Sequence, residues 1–302
     1  MTKFKDVKGN IQLWLMVLPA LAYIVIFCYV PMYGIQLAFR AYDFSKGITG
    51  GDWVGLRYFR QYFESRLFPI TMRNTFLIAL TGIVFGFPMP IFLALVMNQI
   101  KSKTRRKILQ TTLYLPYFIS TVVMVSIINI FLSQTQGILS LALVRLKFIS
   151  PNINLLGSAS TFIPVYVISG IWQGCGWGSI IYMAALSGVD PQLYDAARID
   201  GANRLQSIRH VEIPAIMPTI VIMLILSMGG ILSVGFEKVY LMQNPLNIQA
   251  SEVISTYVYG IGMRSSQFSF GAAVGLFNTL INFTFLLLTN WVSRKVSDIS
   301  LL

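Results

Sequence analysis

Few side chains in this 302-residue chain are of types that do covalent chemistry, and their placement leaves little for them to do. There is one histidine, His210, and there are two cysteines, Cys28 and Cys175. A structural zinc site needs about four clustered ligands, so no metal centre is expected. Both cysteines lie in apolar stretches, where a thiol packs as a small hydrophobe. The nucleotide-cradling pattern G-x-x-x-x-G-K-[ST] is absent, because the dipeptide Gly-Lys never occurs. Any ATP-driven work therefore requires a separate polypeptide. What remains is neutral and aromatic: Asn129, Trp172, Gln173, Trp177, Tyr182 and Asn282. Amides and aromatic faces suit an uncharged, hydroxyl-rich solute, which stacks on rings and exchanges hydrogen bonds with amides. The same groups also serve helix–helix packing. The run Trp172-Gln173-Gly174-Cys175-Gly176-Trp177-Gly178 sets both kinds of group beside three glycines, which let a ligand or a neighbouring helix come close. The chemistry on offer is binding and passage, with no catalytic residue.

The elements that must position these residues are membrane helices. Hydrophobic residues make up 55% of the chain and charged residues 11%, against roughly a quarter charged in an ordinary soluble domain. One soluble core of this size cannot hide so much apolar side chain. A soluble enzyme, a disordered chain and a disulfide-stapled secreted module are all excluded. Apolar runs long enough to cross a bilayer predict six spans, at about 11–33, 74–98, 108–132, 161–186, 216–235 and 270–293. None contains Asp, Glu, Lys, Arg or His. Ion-coupled transport, voltage sensing and intramembrane hydrolysis each need such groups inside the bilayer, so these functions are excluded too. The basic start of the chain followed by an apolar run resembles a signal peptide, but the run is too long and reads as a first span.

Lys and Arg in the loops set the orientation. The loops at 1–10, 99–107, 187–215 and 294–302 carry basic residues at about twice the density of those at 34–73, 133–160 and 236–269. The first set is therefore predicted to be cytoplasmic, with both termini inside. The net charge of +12 then describes an attachment to anionic lipid, and no nucleic-acid partner is expected. Two external stretches are too apolar for plain loops. Tyr58, Phe59, Tyr62 and Phe63, near Trp53, repeat at helical spacing. Val253, Ile254, Tyr257, Val258 and Ile261 do the same. Each predicts a short interfacial helix or a docking face. Glu237 and Lys238, where the fifth span exits, suit an interfacial ion pair.

The loop at 188–214 is the most informative segment. Asp190 is a good N-cap, Pro191 suits the first helical position, and Gly201 suits the residue just past a helix end. A second short helix is predicted at about 202–210, with Pro214 closing the segment. Ala196 and Ala197 stand where long side chains would be expected on a free surface, and small residues permit close approach to another body.

On these residues the chain resembles the membrane subunits of binding-protein-dependent ABC importers. That family carries E-A-A-x-x-x-G-x₉-I-x-L-P. This chain matches in register with Asp195-Ala196-Ala197, Gly201, Val211, Ile213 and Pro214, and departs by Asp for Glu, Val for Ile and Ile for Leu. The resemblance covers almost the whole chain. Trp53-Val-Gly-Leu-Arg-Tyr-Phe and Arg73-Asn74-Thr75 are similar to the sugar-importing branch. Tyr114-Leu-Pro-Tyr-Phe-Ile-Ser120, Gly176-Trp-Gly-Ser-Ile-Ile-Tyr182, Gly235-Phe-Glu-Lys-Val-Tyr240 and Gln267-Phe-Ser-Phe270 resemble its polysaccharide and complex-oligosaccharide permeases.

The resemblance implies an all-α, six-span type I ABC importer transmembrane domain, in the bacterial cell membrane. Asp195, Ala196, Ala197, Asp200, Gly201 and Pro214 would couple it to the ATPase. Asn129, Trp172, Gln173 and Trp177 would line the substrate path. The implied partners are a second homologous permease, two ATP-binding subunits that hold ATP and Mg, an extracellular solute-binding lipoprotein and the bilayer. This chain itself would bind no cofactor. A non-sugar solute, or a sensor or scaffold built on the same fold, stands as the alternative at this level.

Overall fold

In the computed structural model of the chain, the structure describes residues 11–297. Lys3, Lys5 and Lys8, the basic residues ahead of the first span, lie outside the described residues. These residues form helices joined by short loops, with no β-strand among them beyond two isolated antiparallel bridges, Arg40–Trp53 and Asp43–Gly47.

Four helical runs are both long and apolar enough to cross a membrane: α1 (Leu13–Phe39), α3 (Leu67–Asn98), α9 (Arg204–Met228) and α12 (Phe268–Ser297, apolar enough through Lys295). A fifth is counted if α4 (Lys103–Phe118) and α5 (Thr121–Phe131) are one span, but they meet at 97°. The straight third span expected at 108–132 is thus a bent pair. Ser120 makes the break by capping α5, its hydroxyl accepting from the Val123 amide. The expected fourth span is α7 (Ala159–Ser187), 29 residues. It is long enough, but Trp172, Gln173 and its glycines make it less apolar than the others. The expected fifth span was to reach 235, yet α9 stops at Met228, and Gly229 to Gly235 run without helix before α10 (Phe236–Met242). Pro214 does not close the loop either. A π-turn at Ile208–Glu212 precedes it, and the helix continues through it into the span. A proline lacks the N–H that a regular helix would use there, and a π-turn accommodates the irregularity.

The described residues divide into two compact units. One comprises residues up to Ser65 with Val258–Phe277. It holds α1, whose side chains face outward along the span, and α2 (Arg57–Phe63). Phe39 stacks on Trp53 at 5.6 Å, and Tyr62 is buried edge-on against Phe270 and Phe277. The Ser269 hydroxyl accepts from the Tyr42 amide and donates to the Arg40 carbonyl. A short helix forms around Tyr58 as predicted, and its Tyr62 is buried in packing.

The other unit comprises Arg66–Tyr257 and the residues from Asn278 on. It contains α6 (Ile138–Arg145), α8 (Pro191–Ile199), α10 and most of α11 (Ile254–Val258) besides the long helices. Here α3 and α7 pack along their length. One apolar core gathers Ala94, Leu95, Tyr182, Leu186 and Ile216; another gathers Ile78, Val125, Phe162, Val239, Met242 and Val253. Val253, Ile254 and Tyr257 are buried, so the apolar stripe predicted there packs inward rather than offering a docking face.

Lys238 of α10 is also buried, which overturns the expected interfacial ion pair. Its Nζ donates to the Tyr166 carbonyl at 2.7 Å and lies 4.4 Å over the Tyr166 ring. Among the described residues no carboxylate pairs with it. Burial lowers its pKa from the usual 10.5 to about 8. The folded state therefore carries fewer protons than the unfolded state between those values, so stability rises with pH across that window and the contribution is lost as pH falls through about 8. Lys238→Met is expected to be the more stable protein at pH 7, and its advantage over wild type should shrink between pH 8 and pH 10.5. Detergent thermal melts of the two proteins check this; a pH-independent difference would contradict it.

Candidate functional site

The polar amides singled out by sequence meet the two places where helices break. The Gln173 side-chain N–H donates to the Ile119 carbonyl at 2.9 Å, at the bend between α4 and α5. The Asn282 Oδ1 accepts from the Leu232 amide at 2.8 Å, and its Nδ2 donates to the Ser233 hydroxyl. Backbone that leaves a helix at membrane depth must find partners inside the protein, and these two amides supply them. Trp177 stacks on Tyr117 at 4.6 Å with ring planes 3° apart, and Phe118 meets it edge-on. Trp172 and Trp177 stay about half exposed. Tyr117, Phe118, Gln173 and Trp177 thus gather at the α4–α5 bend, an aromatic shelf beside broken backbone. Asn129 lies on α5, the other side of that bend, and no hydrogen bond draws its side chain to the shelf.

The glycines of the same run divide by role. A Cβ on Gly176 would meet the Leu113 carbonyl oxygen at 2.0 Å, so α7 touches the backbone of α4 there. A Cβ on Gly178 would meet Pro90 of α3 at 3.1 Å, while Gly174 faces open space.

The first half of the 188–214 loop folds as its local signals predict, while the helix expected at 202–210 runs on without a break into the span. The Asp190 carboxylate caps α8 by accepting from the Gln192 amide, with Pro191 in the first turn. Gly201 adopts φ +75, the left-handed conformation that glycine takes without strain. Asn203 and Gln206 form a capping box at the start of α9. Asp195 pairs with Arg198 at 3.2 Å on the exposed surface; such a pair contributes little. Asp200 is exposed at the helix end.

The two alanines point in different directions. Ala196 is exposed, on the side that also presents Leu193 and Ile199; Ile199 is 86% exposed. Large apolar side chains exposed together on a helix mark an interaction face, for another protein or for a membrane surface. Ala197 is half-buried and lines a cavity of about 360 Å³ with Asn98, Gln99, Lys101, Tyr194, Arg204 and Glu212 among others. Pro214 sits in the helix that follows.

Sequence reasoning does not single out Glu212. It is 1% exposed. Its Oε1 accepts from Asn98 Nδ2 at 2.8 Å and from Gln99 Nε2 at 2.7 Å. Burial first, and the Glu212 charge second, push the Tyr194 phenol above its ordinary pKa, and its hydroxyl accepts from Asn98 Nδ2 at 3.4 Å. The signal that could have found Glu212 was its position, one residue before Ile213-Pro214, where the pattern of small and apolar residues says the chain has already entered protein.

Near the other end of the described chain, a groove of about 970 Å³ is lined by Val54, Leu56, Arg57, Phe59, Arg60, Gln61, Phe63 and Glu64. It mixes apolar and basic groups on α2.

Comparison with known proteins places these features in one context. Residues 83–298 match the family described as "Binding-protein-dependent transport system inner membrane component". The chain is 40% identical over 286 residues to the polygalacturonan/rhamnogalacturonan transport system permease protein YteP of Bacillus subtilis (strain 168), covering 95% of this chain and 88% of that protein. It is 37% identical to Protein LplB of the same organism, over 95% and 90%. Among solved structures, it superposes on a chain of a bacterial ABC transporter involved in the import of the acidic polysaccharide alginate, with a TM-score of 0.88 and 36% identity over 97% of this chain and 99% of that one. A second structure, of a bacterial alginate ABC transporter in complex with alginate pentasaccharide-bound periplasmic protein, gives a TM-score of 0.89 and 35% identity over the whole of both chains.

Proposed function

This chain belongs to the family of inner membrane components of binding-protein-dependent transport systems, and from that premise we propose that it is the permease subunit of an ATP-driven importer of oligosaccharides or polysaccharide fragments. It performs no covalent chemistry. A solute-binding protein outside the cell delivers the saccharide, and ATP is hydrolysed, with its Mg, on separate subunits. The observation that carries this reading is the 190–214 segment. Its family register is intact, and its outer face leaves Leu193 and Ile199 unpartnered.

The finer reading is as follows. The permease domain crosses the cell membrane six times with both termini inside, the α4–α5 pair and α7 each counting once. It pairs with a second, homologous permease and with two copies of the ATP-binding subunit. The outer face of α8, with Asp195, Ala196, Asp200 and the Gly201 turn, docks on one of those subunits; Ala197 and Pro214 serve the inner side of the same joint. The aromatic shelf of Trp172, Trp177, Tyr117 and Phe118 forms part of the solute path, Gln173 holds its shape, and Asn129 lies farther along. The α2 groove receives the binding protein. The amides and rings by themselves suit an uncharged, hydroxyl-rich solute, but relatives named for polygalacturonan, rhamnogalacturonan and alginate make an acidic oligosaccharide the first solute to test.

Deleting the gene should abolish uptake of labelled oligogalacturonide or alginate oligosaccharide, and restoring it should recover that uptake, while a neutral glucan oligosaccharide is unaffected. Unchanged saccharide uptake in the deletion strain would overturn the reading; loss of neutral glucan uptake alone would overturn its acidic part.

A further inference from the structure

We propose that Glu212 is the positioning residue that passes displacement of α8 to the membrane helices, a buried carboxylate on which three separate elements converge. The inference rests on the permease reading above and names the joint through which that permease is driven.

Three elements meet at this side chain. Glu212 itself ends the π-turn at the base of α9. Asn98 and Gln99, whose side-chain amides both donate to its Oε1, close the C-terminus of α3. Tyr194, on the inner face of α8, has its hydroxyl 3.4 Å from Asn98 Nδ2 and feels the Glu212 charge. The carboxylate thus ties the base of α9 to the end of α3, and Asn98, which also donates to the Tyr194 hydroxyl, extends the knot to α8. Hydrogen bonds to a buried charge are stronger than neutral ones, so the three elements shift together or the knot must open.

The remainder of the site shows room to move. Oε2 is buried without a hydrogen-bond partner, and Glu212 and Ala197 both line a cavity of about 360 Å³. A lone apolar contact would slide under load, and a joint packed on every side would not pivot. An anchored Oε1 beside an open cavity provides both grip and travel. The packing beneath is firm: Ala94, Leu95, Leu186 and Ile216 form a closed apolar core next to the knot, so displacement at Glu212 is transmitted rather than absorbed.

A purely structural role would lower the amount of assembled importer and leave each assembled copy working normally. A coupling role changes the solute moved per ATP hydrolysed. The test uses the complete importer, purified with its partner permease, ATP-binding subunits and binding protein, in proteoliposomes. Uptake of labelled oligosaccharide and phosphate release are measured on the same sample. Glu212→Ala should lower the transport-to-hydrolysis ratio about tenfold, the scale set by losing hydrogen bonds to a buried charge. Glu212→Gln keeps an oxygen for Asn98 and Gln99 and should restore most of the ratio. Tyr194→Phe removes only the α8 contact and should lower the ratio with assembly intact; it decides the matter if Glu212→Ala fails to assemble. An unchanged ratio in Glu212→Ala, or in Tyr194→Phe where the first does not assemble, overturns the proposal. If the wild-type importer itself moves no solute with ATP, the permease reading fails instead.

Discussion

Ala197→Trp should abolish solute uptake while the ATP-binding subunits remain attached. Ala197 faces the cavity between α8 and the Asn98–Glu212 knot. An indole placed there has to lift α8 away from α3 and α9 or force neighbouring side chains off their rotamers. Overpacking of this kind costs about 1–3 kcal/mol, which lowers the equilibrium constant for seating α8 correctly by about five- to 150-fold. Ala196→Trp provides the contrast. Ala196 looks outward beside Leu193 and Ile199, so its indole meets the docked subunit rather than this chain's own cavity. The first variant should copurify with the ATP-binding subunit and fail to transport; the second should lose the subunit. Wild-type uptake by Ala197→Trp, at matched membrane levels, would remove that residue from the coupling machinery.

Gly176→Ala should be a severely damaging single-methyl change. Its Cβ would fall 2.0 Å from the Leu113 carbonyl oxygen and 2.6 Å from the carbonyl carbon. These are backbone atoms, which cannot rotate away as a side-chain tip does. Accommodating the methyl requires α7 and α4 to separate, and their separation pulls Gln173 from the Ile119 carbonyl and Trp177 from Tyr117. We expect a loss of at least about 2 kcal/mol of stability and little folded protein in the membrane. Gly174→Ala, two residues away in open space, should be tolerated. Detergent melting temperatures and membrane yields of the two variants make the comparison, and equal values would refute the backbone contact.

The loop around α8 was the most legible part of the molecule because its signals are local. An Asp cap, a Pro in the first turn and a Gly at φ +75 are read from neighbours in the chain, and all three appear where expected. The apolar runs were legible in number of residues but not in direction. Tyr114 to Leu132 is apolar on both sides of Ser120, and hydropathy does not register a 97° bend that Gln173 stabilises from another helix. The early end of α9 had a local sign, Gly229-Gly230, outweighed by the apolar residues that follow. Which alanine faces inward, and the burial of Lys238 and Glu212, depend on what packs above them. A charged residue between helices reads from sequence as solvated, and only tertiary contact turns Glu212 into an anchor.

On the proposed function this chain is a passive path moved by an ATPase through residues 190–214. The decisive measurement is accumulation of a labelled acidic oligosaccharide by proteoliposomes holding the complete importer, with binding protein supplied on the extracellular face. Accumulation is expected only with ATP and with the ATP-binding subunits present, and none with Ala197→Trp. Accumulation at the same rate without ATP, or without those subunits, would contradict it.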